Sequence, residues 1–311
     1  MSFSPLVELL RAAGAYDVII LDWQPGSLIL SLWPYEADTE ENRTPGQARI
    51  HPYYDVSQQA YRAAARICAQ CETDLPGLKM ADEIRVKPIF ARLRRFRTGR
   101  NTLHYDGPRG SRFHVQIMTC NVRLPATDRM ETKEIPSSCG NCRLCMDNCP
   151  TGAILEDGFR RERCIRYWML SGKTVPEELR GAMGDRLIGC DACQSCCPMN
   201  KKADTRSDTR VPLLEILNGS DEAELKQRIG TNLAIRNRLL AQACLIAGSN
   251  GDAACHEVLK KLAESPSEAV RTHAAWALSR YADVQPAQAA NEERCCSLRE
   301  DSSDKMDRHM P

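Results

Sequence analysis

Four cysteines and a proline fall within "CGNCRLCMDNCP" at the spacing C-x-x-C-x-x-C-x-x-x-C-P: Cys139, Cys142, Cys145, and Cys149 ahead of Pro150. Disulfides, a zinc ion or an iron–sulfur cluster could each use thiols packed so closely, and the spacing discriminates among them. Tetrahedral zinc uses paired C-x-x-C units and has no need of a third cysteine at the same gap. In two-cluster ferredoxin folds this run gives three thiolates to one cubane, while its fourth cysteine reaches the other. A second run, "GCDACQSCCP", carries Cys190, Cys193, and Cys197 ahead of Pro198, one donor short of a full set, and Cys164 in "RRERCIRYW" makes up the number. The crossed assignment puts Cys139, Cys142, Cys145 and Cys197 on one [4Fe-4S] cluster and Cys149, Cys164, Cys190 and Cys193 on the other. Cys196 rivals Cys197 by position, but the C-P signature favours Cys197.

The other cysteines of the sixteen read as packing residues. Cys68 and Cys71 lie on one helical face with Ala60, Ala64 and Ile67, as small buried hydrophobes. Cys120, Cys244 and Cys255 read the same way, and Cys295 and Cys296 belong to the tail.

These motifs need a scaffold, and 311 residues suffice for two or three units with cores of their own. With 42 basic and 41 acidic residues the net charge is +1, so any nucleic-acid or membrane affinity has to be a local patch. The first residues read as an amphipathic helix rather than a signal peptide, and no apolar run reaches membrane-spanning length. A cytoplasmic protein is expected, where cysteine-rich motifs more often bind metal than form disulfides.

The pattern predicts an α+β chain. Residues 18–22 and 27–32 read as strands around a Pro25-Gly26 turn, with a helix to Cys71 capped by Asp55. Residues 101–105 and 113–118 alternate around "DGPRGS" and predict a β-hairpin. Four segments are expected: 1–132 α/β, 133–205 with two clusters, 206–284 as a HEAT-like helical repeat, and 285–311 as a disordered tail. In the repeat, Leu259, Leu262, Val270, Ala274, Ala277 and Leu278 fall at core spacing, and Trp276 joins them. Trp168 and Tyr167 are expected to shield a cluster from water, and His104 and His114 to sit at the surface.

"CGNCRLCMDNCPTGAI", the lone cysteine of residues 160–200, "RNRLLAQACLIAGSNGD" and "VRTHAAWALSRYAD" together resemble the epoxyqueuosine reductase family, densely over residues 133–283. Before residue 130 the likeness is thinner, resting on "SLILSLWPYEA" and "TGRNTLHYDGPRGSRFHVQIMTCNVRLP". The resemblance implies an N-terminal domain that holds cobalamin, two [4Fe-4S] clusters that feed it electrons, and a helical repeat that helps grip tRNA at its anticodon stem-loop. It implies reduction of epoxyqueuosine to queuosine, with a small reductant protein as electron donor. The chain is expected to act as a monomer, away from membranes. Arg97, Arg100 and Asn101 fall in the stretch that the resemblance assigns to the cobalamin region.

One departure concerns the proton donor. The family carries an acid in a V-D-x-x-P stretch, where this chain reads "IRVKP" with Arg85 in its place, and the following glycine-rich loop is shortened to "RFRTGRN". Asp82 and Glu83 are the nearby carboxylates that could donate protons instead. The alternative is a divergent iron–sulfur electron carrier, or a reductase of another small molecule, that has lost the tRNA activity. "ARLRRFRTGR" offers five arginines around Phe96, either to anionic partners or as a solvated face, and Arg228, Arg236, Arg238, Lys260, Lys261 and Arg271 offer a second basic surface.

Overall fold

The computed structural model describes residues 5–38, 44–107, 109–137, 139–200, 206–207, 209–220 and 222–281; the expected tail at 285–311 lies outside them. Helix α1 (Pro5–Ala12) leads into β1 (Asp17–Asp22) and β2 (Ser27–Pro34), followed by β3 (Ala37–Asp38) and β4 (Gln47–Ile50). Next come α2 (Pro52–Cys71), β5 (Lys79–Met80), α3 (Val86–Phe90), β6 (Phe96–Thr98), β7 (His104–Asp106) and β8 (Phe113–Cys120). The main sheet has the order β1-β2-β8-β5, with antiparallel pairs throughout.

Both faces of this sheet are covered, which explains why its strands are apolar nearly throughout. On one face Val18, Ile20 and Ile29 pack with Leu6 and Leu10 of α1 and Ala64, Ile67 and Cys68 of α2. On the other, Ile19, Leu28 and Leu30 meet Phe90, Phe96 and Phe113.

Two local expectations need correction. Helix α2 begins a turn before Asp55: Pro52 occupies the first turn, where its missing N–H is harmless, and the ring of His51 accepts from Tyr53 N at 3.2 Å. Asp55 instead receives two hydrogen bonds from Arg228, at 3.0 and 3.2 Å. The expected hairpin is absent as well. β7 pairs with β6, whereas β8 pairs with β2 and β5, because the apolar side chains of β8 complete the main sheet.

The cysteine segment is built of short elements: α4 (Leu144–Asp147), β9 (Ile154–Leu155), β10 (Gly158–Phe159), α5 (Ile165–Ser171), α6 (Glu177–Arg180), β11 (Arg186–Ile188) and α7 (Ala192–Ser195). After β12 (Arg206–Ser207) and β13 (Arg210–Pro212) the chain becomes helical: α8 (Leu213–Asn218), α9 (Glu222–Ile229), α10 (Arg236–Asn250), α11 (His256–Leu262) and a last helix at 268–281. β4 lies between β11, which runs parallel to it, and β13, which runs antiparallel. One apolar core therefore joins Ile50, Leu187 and Val211 to Leu240, Cys244 and Val270. Leu259, Ala274 and Ala277 are buried in it, and Trp276 packs between this core and that of α5.

The last helix lies close on α10. A Cβ on Gly248 would come within 2.6 Å of the Ala277 Cα, so only glycine allows this approach. His273, fully buried, accepts from Val175 N at 2.9 Å and bonds Ala241 O at 3.0 Å through its other nitrogen. Both bonds are satisfied by the neutral ring, and burial pushes its pKa down to about 4. Since the folded value lies below the unfolded one, this contribution is complete above about pH 6.5 and fades as pH falls toward 4. Thermal melts of wild type should thus lose stability from pH 7 to 5 more steeply than melts of His273→Gln. His273→Ala, which leaves a buried N–H and a C=O unpaired, should cost about 1–3 kcal/mol for each group at pH 7.

Candidate iron–sulfur and cofactor site

Each cysteine run folds around a single helical turn. Cys145 rides on α4 and Cys193 on α7, and the two turns pack against each other. Local bonds fix the loops: Cys142 N to Cys139 O at 3.0 Å, Cys149 N to Met146 O at 3.3 Å and Cys197 N to Gln194 O at 3.1 Å. Cys164 precedes α5 in an extended conformation. The chain thereby brings distant thiols together. Cys145 lies within electrostatic range of Cys139, Cys142 and Cys197, and Cys193 within range of Cys190, Cys164 and Cys149. Cys196 faces the first group too, near Cys145, Cys197 and Cys142.

Burial first, and then repulsion among neighbouring thiolates, push the Cys145 and Cys193 thiols up. Such a set is costly to ionise bare, and a cationic iron core removes that cost because a coordinating thiol is deprotonated outright. Among the described residues no three His, Cys, Asp or Glu side chains converge as a single metal ion requires. Cys149 Sγ also accepts from Ala153 N at 3.2 Å.

Four of these thiols, Cys149, Cys164, Cys190 and Cys193, open onto a cavity of about 490 Å³ between the sheet-bearing part and the cysteine segment. Rings of Tyr35, Tyr53, Phe90 and Phe113 form much of its wall, with Tyr167 also lining it. Gly189 makes the close approach possible: at φ +95°, any Cβ there would stand 2.4 Å from the His51 Cβ. A buried polar network ties the two parts together. Gln194 Nε2 donates to Tyr35 Oη at 2.9 Å and Ser111 O at 3.1 Å, and Asn200 Nδ2 donates to Gln194 O at 2.7 Å.

The histidines depart from expectation. His104 lines the cavity and His114 is half-buried beside Tyr53, 3.2 Å from its hydroxyl, so neither is a surface residue. Burial pushes both down to about 4, with Lys87 adding to the effect at His104 and Gln116 and Asp82 opposing it at His114. His51, on the same wall, is likewise held near 4 by burial against the pull of Asp191. The Nε2 of His104 is buried without a hydrogen-bond partner.

Of the residues singled out for the cofactor, Asn101 lines the cavity and its Nδ2 donates to Cys193 O at 3.1 Å. Arg100 reaches Gly140 O at 2.7 Å, beside Cys139, and Arg97 bonds to Phe96 O at 2.9 Å. Neither arginine is on the cavity wall. Asp82 and Glu83 are exposed and stand off that wall, Asp82 accepting from Gln116 Nε2 at 3.0 Å; no Asp or Glu is among the described residues that line it. Arg85 is exposed at the start of α3.

The arginine-rich stretch largely serves the fold. Arg95 pairs with Asp17 and Asp106, and Arg94 with Glu131. On the helices, Arg228, Arg236 and Lys260 pair with Asp55, Glu222 and Glu257. Among the wall residues that went unremarked in the sequence are Lys87, Thr102, Arg161 and Arg166. Arg166 lies over the rings of Tyr53 and Tyr54 at 5.5 and 5.8 Å. The one signal available for Lys87 was its place two residues after Arg85.

Paired thiol sets on facing helical turns, beside a ring-lined cavity, define an iron–sulfur protein of the two-cluster type. Residues 138–200 accordingly match the model of the 4Fe-4S double cluster binding domain. The chain is 31% identical to epoxyqueuosine reductase of Bacillus subtilis (strain 168) over 190 residues, 56% of this chain and 48% of that protein. It is 36% identical to the Aliivibrio fischeri enzyme over 126 residues, 40% of this chain and 33% of that one. The chain thus spans about half or less of the length of these curated relatives. A crystal structure of epoxyqueuosine reductase with an epoxyqueuosine-modified tRNA-Tyr stem loop shares the fold, with TM-score 0.67 at 19% identity over 89% of each chain. The Streptococcus thermophilus enzyme shares it with TM-score 0.69 at 17% identity, over 89% of this chain and 90% of that one. The chain is thus similar to epoxyqueuosine reductases in sequence over about half of its length and shares their fold.

Anaerobically reconstituted protein should hold about eight iron and eight sulfide per chain, as two cubanes require. Cys193→Ser should lower iron by about half, and Cys197→Ser should disturb the other cluster while Cys196→Ser leaves both EPR signals in place. Equal loss in the Cys196 and Cys197 variants would contradict the assignment of Cys197.

Proposed function

We propose that the chain is an oxidoreductase that reduces epoxyqueuosine to queuosine in tRNA, using cobalamin and two [4Fe-4S] clusters. The observation that carries this reading is the cavity, because four thiols of one proposed cluster open onto it and an electron leaving that cluster meets whatever the cavity holds. Likeness to epoxyqueuosine reductases supports the reaction class, and the structural neighbour with a modified stem loop supports tRNA as the partner.

The eight proposed ligands are Cys139, Cys142, Cys145 and Cys197 for the outer cluster and Cys149, Cys164, Cys190 and Cys193 for the cavity-side cluster. In favour of cobalamin are the cavity walls, which offer aromatic faces, Asn101 and the unpartnered Nε2 of His104. Asn101 would hold it directly, with Arg97 and Arg100 on the adjoining strand and turn. When bound, cobalamin supplies a low-potential metal centre that the side chains lack. The protein's own work is to orient the ligand against the rings and keep His51 and His104 neutral. Any proton from Asp82 or Glu83 reaches the cavity through solvent, because neither stands on its wall.

The domain division at 132 and 205, a HEAT-like character for residues 206–284, a monomeric state, a cytoplasmic location and a small reductant protein as electron donor complete the reading. No helix among the described residues is long and apolar enough to cross a membrane, in keeping with it. Unpaired cations such as Lys261 would meet tRNA phosphates, and salt should weaken binding accordingly.

Reconstituted protein given cobalamin should show the base-off spectrum of the bound cofactor. With dithionite it should then convert an epoxyqueuosine-bearing tRNA stem loop to the queuosine form, read by mass spectrometry of its nucleosides. Cluster-loaded protein that neither binds cobalamin nor converts the RNA would leave the electron-carrier alternative.

A further inference from the structure

We propose that Lys87 is the cationic donor that meets the oxygen of the ligand reduced in the cavity, held in place by Thr102. The proposal rests on the function proposed above. Three independent observations support it.

The first is position. Lys87 lines the same cavity as Cys164 and Cys193 and lies within electrostatic range of both, so its ammonium shares the ligand space with the proposed cavity-side cluster. The second is the hold on it. Lys87 Nζ donates to Thr102 Oγ1 at 3.0 Å, and Thr102 is the non-glycine residue with positive φ, +62°, among the described residues. A β-branched residue adopts that region at a cost, and such strain persists where the surroundings over-determine it. Here they do: Thr102 N bonds Gly99 O at 2.9 Å, Gly99 N bonds Leu103 O at 2.8 Å, and Asn101 anchors the turn to Cys193 O. The strained turn thereby presents a hydroxyl to the ammonium and leaves two of its three N–H groups for a ligand.

The third is the character of the wall. No carboxylate stands on it among the described residues, and His51 and His104 are neutral near pH 7. Two other cations line it, and both are engaged with aromatic rings: Arg161 over Tyr167 at 5.0 Å, and Arg166 over Tyr53 and Tyr54, with its Nε on the Tyr54 hydroxyl at 3.0 Å.

Reduction of an epoxide to an alkene breaks two C–O bonds, forms one C=C bond and consumes two electrons and two protons. The oxygen leaves as water. The electrons arrive singly from the clusters, which are oxidised and refilled by an external one-electron reductant, and the protons come from solvent water. Negative charge builds on oxygen as the first C–O bond opens, and the Lys87 ammonium stabilises it there and again as hydroxide departs. Lys87 is exposed in the open cavity, and once a bound ligand covers it, loss of such a donor lowers kcat by about 10²–10³.

The test uses reconstituted holoenzyme, dithionite and an epoxyqueuosine-bearing stem loop. Lys87→Met should lower kcat about 100-fold with KM within about threefold and with iron content and EPR spectra unchanged. Lys87→Arg, which keeps charge and N–H donors, should recover about tenfold, and Thr102→Gly, which keeps the turn but removes the hydroxyl, should fall between wild type and Lys87→Met. Active wild type together with a Lys87→Met variant of similar kcat, or one whose loss tracks a lost cluster signal, overturns the role of Lys87 alone. Cluster-loaded wild type without turnover overturns the proposed function, and the role of Lys87 with it.

Discussion

Like-charged sulfur donors drawn close together are the constraint on which the rest of this structure depends. Cys145 and Cys193 each sit among other thiols, and burial and mutual repulsion raise the cost of ionising them. A cationic core at these thiols would offset that cost, and its binding would then be coupled to the packing of α4 against α7. Short helical turns suit this arrangement, since a cubane needs ligands at fixed small gaps and little else from the local chain.

The remaining architecture brings the thiols to a ligand. β4 belongs by sequence to the N-terminal part, yet it is sandwiched between β11 and β13 and shares one core with the C-terminal helices. The Gln194–Ser111–Asn200 network and the Asn101 bond to Cys193 O then lock the second cysteine run onto the sheet-bearing part. Unsatisfied, such buried groups would be expensive; fully paired, they fix the geometry across the cavity. The cavity wall is thus composed of side chains from both parts, held by bonds that neither part makes alone.

Charge tells a similar story. Near-neutral composition hides a segregated distribution: several cations that looked free in the sequence, such as Arg95 and Arg228, are taken up by carboxylates distant in the chain. Other exposed cations, such as Arg62, Arg66, Lys173 and Lys261, make no such pair, and those of the cavity face thiols and rings.

The sequence by itself determined the cysteine spacings, the apolar strands of the main sheet and the helical core positions, because each follows from local periodicity or from ligand gaps a few residues long. Val270, Ala274 and Ala277 are buried as their spacing requires. Tertiary structure alone decided what local pattern cannot encode. The alternation of residues 113–118 suits any strand partner, and the apolar face of β2 took it from the neighbouring hairpin. His104 and His114 resemble surface residues until the cavity and Tyr53 close over them. Asp82 and Lys87 lie five positions apart, and only the path of the chain through α3 puts the lysine on the cavity wall and leaves the acid outside it.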